Sequence, residues 1–116
     1  MLFRGLDVGY NVWRFGSLVE YDNGQSAIVF SAEGYGYGVY KNEVIPETVG
    51  QYVGLKDRHG VKIYEGDILE GLGCVVWGDR ECRFLIDIIG ERYEVFFDEL
   101  SQNELEVIGN IHERSE

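Results

Sequence analysis

A reaction would need a nucleophile beside a base, a set of metal ligands or a phosphate cradle, and this chain holds few residues for any of them. His59 and His112 stand far apart in sequence, outside any spacing that implies a metal pair or a nucleophile–base dyad. Both read as surface histidines. Cys74 and Cys82 flank "VVWGDRE". If Gly78 and its neighbours form a hairpin turn, the two would face each other on paired strands, where a disulfide is geometrically conceivable. Two small thiols are the favoured reading, because no export signal precedes them.

"GYGYG" at 34–38 is the one glycine-rich loop, but no Lys-Ser/Thr follows it and it opens no helix. The amide cradle and dipole of a phosphate loop are therefore missing. Tyr35, Tyr37 and Tyr40 could instead stack on bases, or sit at an exposed hairpin end that packs on a neighbouring subunit. Glu65 and Asp67 share one side of an extended segment, where turn capping explains them better than acid–base catalysis. No catalytic residue, metal ligand or cofactor is expected, and the chain reads as non-enzymatic.

Ten Lys and Arg against twenty-one Asp and Glu give a net charge of −11, which opposes any general phosphate-gathering surface. Nucleic acid as a partner is disfavoured, though Lys56, Arg58 and Lys62 with His59 form one basic patch. The start "MLFRGLDVGY" carries no signal-peptide pattern, and no run of about 18 apolar residues occurs. A cytoplasmic protein without membrane contact is the expectation.

The elements that must position these residues are strands. At 116 residues, the chain is one domain's worth and can bury roughly 65% of its unfolded surface. "RECRFLIDII" alternates Cys82, Phe84, Ile86 and Ile88 against Arg83, Leu85, Asp87 and Ile89, and "RYEVFF" aligns Tyr93, Val95 and Phe97. Gly90-Glu91 reads as the turn between them. "ELEVIGNIHE" sets Leu105, Val107, Gly109 and Ile111 on one face. The one helical candidate, "DELSQNEL", amounts to a single turn capped by Asp98 or Ser101. Asn23-Gly24 is a strong hairpin signal, and Pro46 belongs at a turn or strand edge.

"YVGLKDRHGVKIYEGDIL", from Tyr52 to Leu69, predicts a hairpin in which Val53 and Leu55 share one face of the incoming strand and Val61 and Ile63 share one face of the outgoing strand. "KDRHG" should form a type I turn with a glycine bulge, Asp57 starting it and Gly60 left-handed. Glu65-Gly66-Asp67 then breaks the strand, with Asp67 accepting hydrogen bonds from local amides. The fold class is all-β, with short antiparallel strands in a small barrel or strongly bent sheets and little helix. One domain over 1–116 is expected, with an N-terminal β subregion at 1–47 and a barrel-like region at 48–116. Trp77 suits core-edge packing or an interface anchor.

"VIPETVGQYVGLKDRHGVKIYEGDIL" at Val44–Leu69, echoed by "EVIGNIHE" and preceded by "FRG" and "W" with "GSL", resembles the YopX family of phage and prophage proteins. The family ending is similar to "VIGNIYEN", with His112 here in place of Tyr. The resemblance implies an all-β fold, a bacterial cytoplasm under phage or prophage expression, and self-association; it implies no reaction. Of the residues matching the motif, Gln51, Asp57 and Tyr64, together with Lys56, have polar ends suited to a partner. With Arg58, Lys62, Tyr35, Tyr37 and Trp77 they make up the candidate interaction surface. The expected role is a self-associating binding or scaffold protein that also takes a host or phage protein. The alternatives are an acidic mimic of nucleic acid that binds a nucleic-acid enzyme, and a single-strand-binding barrel.

Overall fold

The computed structural model describes residues 2–32, 38–88, 94–96 and 102–112. Tyr35, Tyr37, the Gly90-Glu91 turn, Tyr93, Phe97, Asp98 and Ser101 lie outside the described residues. Among those described, the protein is all-β, with antiparallel sheets that are open rather than closed into a barrel and two short 3-10 turns. Two compact units divide the chain, Met1–Gln51 and Tyr52–Glu116.

In the first unit, β1 (Phe3–Leu6), β2 (Trp13–Glu20), β3 (Ser26–Ala32) and β4 (Gly38–Val44) form a meander. Gly50 and Gln51, which begin β5 (Gly50–Lys56), pair with Arg4 and Phe3 at the free side of β1. Ile28 and Val44 are fully buried. Asn23-Gly24 turns β2 into β3 as expected, through Gly24 N–H donating to the Tyr21 carbonyl at 3.0 Å and Asn23 Oδ1 accepting from Gln25 N–H at 3.0 Å. Pro46 opens the 3-10 turn Pro46–Thr48, where its fixed φ suits a first helical position and its missing N–H costs nothing.

In the second unit the rest of β5 pairs with β6 (Lys62–Tyr64). A further antiparallel sheet runs in the order β10 (Glu94–Phe96), β9 (Arg83–Asp87), β8 (Gly73–Gly78), β7 (Asp67–Leu69) and β11 (Val107–Asn110). Ile63, Leu69, Val75, Ile86 and Leu105 form its core, with Val53, Leu72, Phe84 and Val107 packed against it. Phe84 and Ile86 thus lie on the face that their alternation predicts. Gln102–Glu104 forms the 3-10 turn within the predicted helical segment.

Three expectations of simple alternation are corrected. The register slips between Tyr52 and Lys56, where Gly54 takes a φ of 93°, so Leu55 turns outward instead of sharing the face of Val53. Val61 precedes β6 and stays exposed while Ile63 is buried. A second slip, between Val107 and Gly109, leaves Ile108 and Ile111 exposed and turns Asn110 inward, so Ile111 does not follow Leu105.

The cysteines do not face each other either. Cys74 is opposite Asp87, and Cys82 sits in the β8–β9 turn with a φ of 54° and its N–H donated to the Gly78 carbonyl at 2.8 Å. Both thiols are free, Cys74 buried and Cys82 exposed. Burial pushes the Cys74 thiol up, and the charges of Asp87, Asp67 and Glu65 add to it. One equivalent of a thiol reagent such as DTNB is therefore expected to react rapidly with the native protein, and the second only on unfolding. Two rapid equivalents would contradict this placement.

Candidate functional site

Hydrogen bonds from nearby main-chain amides to short polar side chains recur at the turns of this fold. Asp7 Oδ1 accepts from Gly9 N–H at 2.7 Å and Tyr10 N–H at 3.0 Å, while Oδ2 takes Arg14 Nε–H at 3.0 Å. The amides of Tyr10 and Gly9 hold the Asp7 carboxyl low, against an opposing effect of burial and with help from Arg14. Asp67 Oδ2 accepts from Tyr64 N–H at 2.8 Å, as its place after Glu65-Gly66 predicts.

Asp57 is the most heavily used of these residues. It is 1% exposed, and its Oδ1 accepts from His59 N–H and Val61 N–H, each at 2.9 Å. Its Oδ2 accepts from Val107 N–H at 3.0 Å, 50 residues further along the chain. Burial alone would push this carboxyl up, but the amides of Val107, Val61 and His59, with the His59 ring, outweigh it and hold it below the usual carboxylate range. Gly60 N–H donates to the Asp57 carbonyl at 3.0 Å with a φ of 80°, the expected type I turn with a glycine bulge. Gln102 Nε2 also donates to that carbonyl, at 3.0 Å. Asp57 therefore ties the hairpin turn to the start of β11.

The locked turn presents charge. Lys56 and Lys62 are direct cross-strand partners, and Arg58 and His59 occupy the turn between them. All four are exposed, beside exposed Leu55 and Val61. Lys62 Nζ lies 5.8 Å from the ring centre of Tyr52, which packs against Tyr64 at 5.7 Å. Like charges opposite each other destabilise a strand pair unless an anion comes between them.

Part of this charge is already met. Arg58 Nη2 lies 2.6 Å from Glu106 Oε2, and His59 Nε2 lies 3.3 Å from Glu106 Oε1. Glu70 is the main-chain neighbour of Glu106: its N–H donates to the Glu106 carbonyl at 2.9 Å. The interaction of the two side chains pushes the Glu70 carboxyl up and the Glu106 carboxyl down, with Arg58 and His59 also holding Glu106 low.

The sequence-predicted surface is therefore divided. Lys56, Arg58 and Lys62 come together at one hairpin end. Asp57 and Tyr64 are buried beneath it, so they support the surface rather than form it. Gln51 is half-buried and paired with Phe3 in the first unit. Trp77 is 44% exposed near the β8–β9 turn, with its ring 5.0 Å from that of Phe84 in an edge contact, at once packed and accessible. Sequence reasoning missed Asp7, whose "DVG" spacing was the available local signal. It also missed Glu70 and Glu106, for which no local signal exists. Among the described residues, no group of three or more His, Cys, Asp or Glu is placed to hold a metal ion, and no helix is long and apolar enough to cross a membrane.

Open antiparallel sheets with turns locked by buried aspartates define a class of small all-β protein. A family model described as YopX protein matches residues 2–116, and the chain belongs to that family. No curated protein and no solved structure matches it.

Proposed function

We propose that this YopX protein is a non-enzymatic binding protein that self-associates, and that the β5–β6 hairpin end is its recognition element. The observation that carries the reading is the convergence of Lys56, Arg58, His59 and Lys62 on one turn held by the buried Asp57 carboxylate. Three of the ten Lys and Arg of a chain with net charge −11 lie there, so the nearest complementary surface is the acidic remainder of another copy. Exposed Glu20, Asp22, Glu43 and Glu47 of the first unit belong to that remainder. Such a contact joins two different patches, which makes the assembly head-to-tail.

The same hairpin would accept an acidic host or phage protein, and the bacterial cytoplasm during phage or prophage expression is the setting that family membership supports. Light scattering over a concentration series tests the reading. The mass should rise above 13.3 kDa at low salt and fall as salt screens the contact. The double variant Lys56→Glu, Lys62→Glu should weaken association by about tenfold or more, since each reversed charge turns attraction into repulsion. A double variant that assembles as the native chain does would remove the hairpin from the interface.

A further inference from the structure

We infer that Glu106 is an internal stand-in for a partner's carboxylate, occupying the Arg58–His59 end of the cationic hairpin so that an acidic protein segment must displace it to bind. This rests on the hairpin reading above and adds that the site is self-occupied. The two oxygens of one carboxylate face two different side chains, Oε2 lying 2.6 Å from Arg58 Nη2 and Oε1 3.3 Å from His59 Nε2. A planar two-oxygen group fits this arrangement, which favours a carboxylate-rich segment as the displacing ligand.

The internal contact is built to be released. His59 Nε2 lies 3.2 Å from Arg58 Nε as well as 3.3 Å from Glu106 Oε1. That nitrogen carries either a proton or a lone pair, so it serves Arg58 as an acceptor or Glu106 as a donor, never both. Glu70 N–H donates to the Glu106 main-chain carbonyl at 2.9 Å, so the backbone at Glu106 stays anchored while its side chain moves. Arg58 and His59 are exposed, with side chains 46% and 58% accessible, so an incoming segment can reach both without opening the fold. Moving the Glu106 side chain also leaves the lock in place, because Asp57 is held by the main-chain N–H of Val107 and not by Glu106.

The test uses the full chain and a fluorescein-labelled hexaglutamate peptide, read by anisotropy at low salt. Glu106→Gln should bind the peptide about tenfold more tightly than the native chain, and Lys56→Glu, Lys62→Glu should lose binding; circular dichroism checks that each variant is folded. Glu106→Gln binding no tighter while the lysine variant still loses binding would overturn the stand-in role and leave the hairpin reading standing. Equal binding by all three proteins would overturn both. Tighter binding of an oligothymidylate than of the peptide by Glu106→Gln would overturn the carboxylate assignment in favour of phosphate.

Discussion

Replacing Asp57 with Asn lowers the unfolding free energy of the Tyr52–Glu116 unit by about 3 kcal/mol, followed through Trp77 fluorescence in urea. Three main-chain amides converge on this carboxylate. The Asn oxygen can keep His59 and Val61, but the Asn amino group then faces the Val107 N–H, donor against donor in a buried place. Loss of a charge-assisted bond together with an unsatisfied buried donor accounts for that magnitude. Asp57→Ala should cost more, since all three amides lose their acceptor. The same residue sets part of the acid limit. Its folded pKa is depressed, so its stabilisation is fully present above the ordinary carboxyl value of about 4 and is lost as pH falls through the lower folded value. The native protein should lose stability on acidification below about pH 4 more steeply than Asp57→Asn does. Parallel pH curves for the two proteins would show that Asp57 is not the lock described.

Replacing Gly73 with Ala is expected to be comparably severe. Gly73 begins β8 with a φ of 153°, and an added Cβ would fall on the carbonyl oxygen of Asp87 in β9. That oxygen is main chain in the strand that pairs Cys74 with Asp87, so it can retreat only by breaking the register of β8 and β9. Core overpacking of this kind costs about 3 kcal/mol, which in a unit of this size lowers Tm by more than about 10 °C. Scanning calorimetry of the variant checks it; an unchanged Tm would mean that the β8–β9 approach is looser than this geometry.

The sequence alone determined whatever short-range chemistry decides. Asp57 through Gly60 spells a type I turn with a glycine bulge because Asp accepts amides two residues on and Gly takes the positive φ. Asn23-Gly24 and Glu65-Gly66-Asp67 are legible for the same reason. Alternation put Phe84 and Ile86 on one face, and the long central motif identified the family. Only the tertiary structure decided where alternation fails, because the register slips after Tyr52 and Val107 depend on which strand lies alongside; they turn Leu55 and Ile111 outward. It also set Cys74 against Asp87 instead of Cys82. The candidate site divides in the same way. Lys56, Arg58 and Lys62 were visible because one turn carries them, whereas Glu106 reaches Arg58 from 48 residues away. Nothing in the spacing of those two residues records that β11 closes against β7 and delivers Glu106 to the hairpin.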